Sequence, residues 1–592
     1  MKRFILFILI AGININAYTQ SNIELKSGAL DVVAVDQFGR TVPAISGYKP
    51  DKQVGIFYWP WIGQPYASGV YDATKISAMP NGLKLLYDFK SHDTAISPTG
   101  QAHFWGEPIW GYYNSADEWV IRRQMKMLTI AGVDFIVFDL TNRLTYRGVY
   151  EKVLNIIEEL QRDGWNAPRA VFYTHSKSME TTQQLYDDLY KKNLYSNAWY
   201  KVKGKPMIIA YTDTADDRAE AKSRNDLSYV PVPYAKEVQD FFYFKKPQWP
   251  FDPTFEDGFP WIEWSFPQPL HGGVMSVSVA SHPKVPMSRS ITSGWVNWGR
   301  GWDPDKKQNI SEDVDRGTFF QRQWDHAIKV DPDTVFVGGW NEWVAYKQPY
   351  GDEYMLCDAA NKEYSRDIEP MKGGYEDAFY IQMIRNIRRY KGLPAEKTAN
   401  PSRSINIKGD VSQWSNVNGY QNILRVAHPR NSFGVSKTVH YELPAPINHL
   451  QEIKVANDKD FIYFYIQTEK DFAPANASLK GLNVYIGVGD PALKGWKGYQ
   501  YMVAQEPGAK EFTLRKLNEN FSTAKVGKAD YSIAKNVVQL KISRKQLNAL
   551  GNVKNIYFKV TDGIENSQDI METYLSGSAM PMGRLSYQYR WD

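Results

Sequence analysis

The sequence predicts an α/β protein, a (β/α)8 barrel of the TIM type followed by an all-β sandwich domain, and three observations predict it. Short unbroken apolar runs alternate with amphipathic helical patterns from Val54 to about Lys391, the signature of parallel β/α units. A polar, Pro-containing stretch follows from Pro394 to Arg403. From Ile405 onward the hydrophobic period becomes two, with no long helical pattern, as in sandwiches. At 592 residues the chain is also too long for one ordinary core.

The first element is a lead-in over 21–53, strand-like around a turn at Gln37 to Gly39 and expected to pack against the main domain. Eight barrel strands are then read as VGIFYW (Val54 to Trp59), DFIVFDL (Asp134 to Leu140), RAVFYTH (Arg169 to His175), PMIIAY (Pro206 to Tyr211), DFFYF (Asp240 to Phe244), PWIEWSF (Pro260 to Phe266), VMSVSVA (Val274 to Ala280) and TVFVGGW (Thr334 to Trp340). Continuous apolar runs suit strands buried on both faces. Helices are expected from Ser115-Ala116-Asp117-Glu118 to Gly132, from about Val149 to Arg162, and around Gln183 to Lys192. The long excursion between Pro60 and Gly106 exceeds an ordinary connection and reads as a functional loop. Domain bounds follow as 54–392 for the barrel, 393–404 for a linker and 405–592 for the sandwich.

Composition narrows the function classes. Lys2 and Arg3, the apolar run Phe4 to Ile13 and the small residue Ala17 form a signal peptide over 1–20, which predicts a secreted or periplasmic protein with no membrane span. The net charge of +5 is too small to favour nucleic acid as partner. The single cysteine, Cys357, excludes an intramolecular disulfide and a lipidated cysteine at the cleavage site. Trp, Tyr and Phe make 14% of the residues, as in proteins whose rings receive the apolar faces of sugars, although packing also consumes aromatics. The sequence has no metal-ligand spacing, nucleotide-binding glycine loop or Gly-x-Ser-x-Gly elbow. No cofactor is expected, apart from a possible structural calcium, and the oligomeric state is open.

The chemistry is read from acids at strand ends. Glu342 follows the strand Thr334 to Val337 and lies between Trp340 and Trp343, with Gly338 and Gly339 letting the chain swing. Asp139 and Glu263 also fall at strand ends, and Glu107 lies among Phe104, Trp105, Trp110, Tyr112 and Tyr113. A barrel mouth collects strand ends about one axis, and glycosidic cleavage in its usual form needs two carboxyls flanking the bond. Apolar neighbours raise a carboxyl pKa, so Glu107 is expected to be the proton donor. Glu342, Glu107, Asp139 and Glu263 are therefore the catalytic candidates. Tyr58, Trp59, Trp61, Trp105, Tyr112, His175, Arg289, Trp340, Asn341 and Trp343 are the substrate-binding candidates. Simpler readings stand beside these: Asp213 and Asp139 as caps, His175 as a positioning residue, Arg143 and Arg289 as surface charges.

In their order and spacing, YWPW (Tyr58 to Trp61), WGEPIWGYYNSAD (Trp105 to Asp117), RQMKMLTIAGVDFIVFD (Arg123 to Asp139) and GGWNEW (Gly338 to Trp343) resemble glycoside hydrolase families 71 and 99. That resemblance implies a (β/α)8 barrel cleaving α-linked glycans. In family 99 the motif is Trp-Asn-Glu-Trp-x-Glu, its first Glu a base and its second an acid; Glu342 matches the first, and Ala345 stands at the second. Another carboxyl must then supply the acid, or the chemistry differs. The C-terminal segments KGDVSQWSNV (from Lys408), NDKDFIYFYIQTEK (from Asn457), GLNVYIGVGD (from Gly481) and MPMGRLSYQYR (from Met580) are similar to family 9 carbohydrate-binding modules, with Trp414, Trp496 and Tyr499 as candidate sugar platforms. The leading expectation is a glycoside hydrolase acting on a glycan. The alternatives are a polysaccharide lyase acting on a uronate and a non-catalytic glycan-binding protein.

Overall fold

The computed structural model describes residues 32–592 other than 44, 46, 92, 394–399, 424, 425, 427, 473–478, 480 and 506–510. The expected signal peptide lies outside the described residues, as does half of the expected linker.

Among the described residues the N-terminal sheet has eight parallel strands, β1 Gln53–Tyr58, β2 Phe135–Leu140, β3 Arg169–Thr174, β4 Lys205–Ile209, β5 Tyr243–Gln248, β6 Gly258–Pro260, β7 Val274–Val277 and β8 Thr334–Val337, with the short Lys201–Val202 added antiparallel to β4. Their spatial order is β6-β5-β4-β3-β2-β1-β8-β7, so sequence neighbours pair and β8 returns to β1, with the seam between β6 and β7. Period-two alternation divides the side chains into two layers. Phe57, Val137, Val171, Ile209, Phe259 and Phe336 form one buried cluster. The residues between them, such as Ile56, Ile136 and Ile208, join the larger cluster that includes the helices. This is the arrangement of a barrel whose interior is packed with side chains.

The outer helices are α1 Glu118–Ala131, α2 Arg147–Arg162, α3 Ser178–Leu185, α4 Thr214–Ser223, α5 Lys236–Phe241, α6 Thr318–Val330 and α7 Ala378–Lys391. The start of α1 is set by Asp117 rather than Ser115, because the Asp117 carboxylate accepts from Trp119 N at 3.0 Å. Gly132 closes it at φ 79°, a conformation that favours glycine. Asp213 caps α4 by accepting from Ala215 N at 2.8 Å, the simpler of its two readings.

Two strands differ from expectation. Helix α5 occupies Lys236–Phe241, so β5 starts only at Tyr243. The segment expected as Pro260 to Phe266 contributes only Pro260 to β6; Glu263 within it is held by His271 at 2.7 Å instead of alternating in a ladder.

Among the described residues the C-terminal region forms an antiparallel sheet of 13 strands, two of them, Val32–Val35 and Thr41–Val42, from the lead-in, beside a separate two-stranded ribbon of Arg430–Phe433 and His440–Leu443. The corner of the large sheet is the 12-residue strand Thr523–Ala534, whose first part pairs with Phe512–Leu517 and whose last part pairs with Val537–Ser543. Val32–Val35, buried along its whole length, adds to this sheet beside Leu585–Arg590. The lead-in also meets the barrel: Gln37 Nε2 donates to Tyr375 O at 3.0 Å, Arg40 Nη1 to Arg316 O at 2.6 Å, Arg388 Nη1 to Pro43 O at 3.2 Å and Lys49 N to Lys391 O at 2.8 Å. No helix among the described residues is long and apolar enough to cross a membrane.

Candidate active site

The motif after β8 is built by close packing. A Cβ on Gly338 would lie 2.3 Å from Ser278 Oγ, and one on Gly339 would lie 2.7 Å from the Arg366 carbonyl oxygen. The two glycines therefore answer crowding rather than a need for unusual backbone angles. Asn341 ties the exits of β8 and β1 together, accepting from Trp59 N at 2.9 Å and donating to Trp59 O at 3.1 Å.

Glu342 then faces a set of charges in the interior. It is 5% exposed, and Arg366 Nη2 donates to its Oε2 at 2.6 Å. Its backbone N–H donates to the Asp367 carboxylate. Burial pushes the Glu342 carboxyl well above the ordinary range; Arg366 opposes this, while Asp358, Asp367 and Asp139 add to it. Asp139, at the end of β2, accepts from Thr141 N at 3.0 Å, Thr141 Oγ1 at 2.7 Å and Trp61 Nε1 at 3.3 Å. Its pKa is raised by burial and by the charge of Asp358, and these hydrogen bonds act against the rise. Asp358 adopts φ 69°, a conformation Asp tolerates but seldom takes, and lies 3.5 Å from His282 Nε2. His282 Nδ1 is in turn 3.3 Å from Arg366. Glu342, Asp139 and Asp358 are thus within charge-interaction range of one another.

The C-terminal strand ends supply Trp61 after β1, Asp139 at the end of β2, His175 after β3, Trp249 after β5, Trp261 and Trp264 after β6, His282 after β7 and Glu342 after β8, while Asp358, Arg366 and Asp367 come from the segment between Leu356 and α7. Aromatics surround them on two sides. Trp61 stacks on the half-exposed Tyr346 at 6.0 Å and 22°. Trp249 stacks on the exposed Phe251 at 6.0 Å and 25°, and Phe251 also meets Trp264 at 5.7 Å. His175 packs on Trp249 at 4.4 Å and lies 3.3 Å from Glu220. Burial lowers its pKa, which suits a neutral positioning ring. Among the described residues no group of three or more His, Cys, Asp or Glu is arranged to hold a metal ion.

Several expected site residues lie elsewhere. Glu107 pairs with Lys75 at 2.7 Å and Lys372 at 3.1 Å. Burial pushes its carboxyl up, but these two ammonium groups outweigh that and hold it below the ordinary range, so the expected proton donor is an ionised surface partner. Glu263 is engaged by His271. Tyr58, Trp59, Trp105, Trp340 and Trp343 are almost wholly buried, which leaves no ring face for a sugar. Trp105 and Trp343 stack on each other at 4.6 Å and 14°, and Tyr58 donates to Gln124 at 2.5 Å. Tyr112 donates to Asp72 at 2.7 Å. Arg289 pairs with Asp352 and Glu353 at 3.3 and 2.8 Å, and Arg143 is exposed on its loop. Ala345 is buried opposite His103 in a three-stranded ladder. In the sandwich, Trp414, Trp496 and Tyr499 are core residues.

The sequence reading missed Arg366, Asp367 and Glu369. A run of alternating charges, SRDIEP, reads as a solvated surface, yet all three are fully buried. The only signal was position: the run carries no helical period and sits between the last barrel strand and the last barrel helix. Burial raises Asp367 to about 6, with Arg300 and the Trp105 indole opposing. It raises Glu369 to about 7 against donors from Gln124, Trp343, Trp110 and Tyr113.

No family model matches the chain, and no curated protein matches it in sequence. Among solved structures, it is similar to a GH99 endo-alpha-mannosidase from Bacteroides thetaiotaomicron at 13% identity and TM-score 0.33, over 57% of this chain and 97% of that one. A family 9 carbohydrate-binding module from Caldicellulosiruptor kristjanssonii aligns at 12% identity and TM-score 0.16, over 28% of this chain and 76% of that one. A Thermotoga maritima alpha-fucosidase aligns at 8% identity and TM-score 0.26, over 86% and 96% respectively. At such scores the barrel and the sandwich rest on the strand pairings themselves.

Proposed function

We propose that this protein is an exported glycoside hydrolase that cleaves an α-linked glycan at the C-terminal mouth of its barrel, with Glu342 and Asp139 as the working carboxyls. The observation that carries this reading is the convergence of Glu342, Asp139 and Asp358 beside ring faces at Trp61, Tyr346 and Phe251. A carboxyl pushed well above its ordinary range beside one whose rise is opposed by three donors suits the division of labour that glycosidic cleavage needs. Glu342 sits where its proton is retained, so it is assigned as the acid. Asp139 has three donors favouring its charged form and is assigned as the base or nucleophile. This reverses the role the family resemblance gives Glu342, and it supplies the second carboxyl that Ala345 lacks.

One observation favours a second reading. Arg366 already occupies Glu342 at 2.6 Å, as it would in a protein that holds glycans without cleaving them. Digestion of a glycan panel, read by mass spectrometry, separates the two. Hydrolysis yields fragments that together gain one water; a binding protein returns the panel intact but retains a glycan in affinity electrophoresis. A lyase would leave an unsaturated, ultraviolet-absorbing product.

A further inference from the structure

A small cationic cavity lies where the barrel meets the sandwich. It is bounded by Arg123 and Lys126 of α1, by Asn422 and His449, and by the segment 573–579 with Met582. It holds about 20 Å³, against roughly 10–15 Å³ for one water on the same measure, so it admits a single particle of about that size. Among the described residues none that lines it is an Asp or Glu.

The cations around it have neutral partners. Lys126 is buried and donates to Asn422 Oδ1 at 2.7 Å. Arg123, also buried, donates to the carbonyls of Tyr574 and Trp119 at 3.3 Å each and lies over the Trp119 ring. Buried Lys559 donates to the Pro581 carbonyl. Of the buried acids nearby, Asp117 is engaged by Arg430 at 2.8 Å and Asp377 by Arg584, while Asp562, opposite Ser578 in the sheet, takes a hydrogen bond from the Asn448 amide at 3.2 Å on one oxygen and has no partner among the described residues on the other. His449 is buried, its Nε2 has no partner, and its Nδ1 lies 3.4 Å from Ser578 Oγ. Burial, with Arg123 adding, lowers the Lys126 ammonium to about 7. A buried cation without an acid either gives up its proton or takes a counter-ion. Here two adjoin one cavity of ionic size.

We infer that this cavity binds one monatomic anion of chloride's charge and size, which serves Lys126 and Arg123 as counter-ion and fastens the sandwich to the barrel. The test is the thermal unfolding midpoint of the full chain, titrated with chloride against gluconate at constant ionic strength, together with anomalous diffraction from crystals grown in bromide. The expected results are a midpoint that rises saturably with chloride, loss of that rise in K126Q and K126M, and a bromide peak between Lys126 and Arg123. Equal midpoints in chloride and gluconate, or a bromide map with no peak in the cavity, would overturn the inference. So would a chloride response retained in K126M. Should the variants fail to fold, the wild-type titration and the bromide map decide alone. If Lys126 is instead neutral beside a water, stability will rise with pH from about 7 to 10 in both salts and the map will be empty, which also refutes it.

Discussion

Glu369 and Glu342 lie in the same buried region behind the barrel mouth and differ in what faces them. Glu369 receives four hydrogen bonds, from Trp110 and Gln124 on Oε1 at 2.8 and 2.7 Å and from Tyr113 and Trp343 on Oε2 at 2.9 and 2.5 Å. The residue pins the loop after β1, helix α1 and the motif after β8 to one another. Glu342 has a single cation and three carboxylates within range. The lesson is that burial alone does not mark a reacting carboxyl. An acid tied by four donors from three segments builds the site, and one crowded by other carboxylates at the strand ends is placed to give its proton.

The predictions test that contrast, beginning with the largest expected effect. Replacing Glu342 with Gln should lower glycan turnover by about 10²–10⁴-fold, the usual contribution of an acid–base group, while the unfolding midpoint stays near wild type. D139N should cost turnover on a similar scale and remove the acidic limb of the pH–rate profile, measured over the same glycan. Replacing Glu369 with Leu should act on the fold instead. Four donors lose their acceptor, and denaturant unfolding should show a loss on the order of 3–5 kcal/mol. If E369L left stability intact and E342Q unfolded the chain, the division of roles would be inverted.

The pH dependence of stability sharpens the contrast further. Glu369 is pushed up to about 7, above its unfolded value near 4.3. Between these values the folded chain holds a proton that the unfolded chain has lost, so this group makes stability fall as pH rises through that window. The wild-type minus E369Q difference in unfolding free energy, taken from pH 4 to 7.5, should fall by about 1–3 kcal/mol. The smallest effect is expected of E107Q. Its lysine partners are well exposed, such pairs contribute at most about 1 kcal/mol, and turnover should stay within about twofold.

Much of the barrel was legible because its strands are unbroken apolar runs and its helices carry a clear stripe. β2 and α2 fall within two residues of expectation. Legibility failed where local composition and tertiary role diverge. PWIEWSF has the β-branched and aromatic letters of a strand, but it leaves the ladder after Pro260. VVAV before the barrel is locally a strand with no sign of which sheet would receive it, since its partner lies at the far end of the chain.

The candidate site shows the same limit. Glu342 and Asp139 were visible as acids at strand ends, and Trp61 and His175 as neighbours of such ends. The tryptophans of the motif looked like sugar platforms because a sequence cannot say which face of a ring is covered; Trp340 and Trp343 are wholly buried. Glu107 looked buried among rings, but its neutralising lysines come from positions 75 and 372, distant in sequence. Arg366 was hidden because a charge is read as solvated until an opposite charge is found for it.

The most direct measurement is a side-by-side digestion of one glycan panel by wild type, E342Q and D139N, read by mass spectrometry with affinity electrophoresis on the same glycans. Paired carboxyls predict fragments carrying one added water with wild type, none above background with either variant, and retained binding in both. Wild-type hydrolysis that persists unchanged in E342Q or D139N would contradict the account.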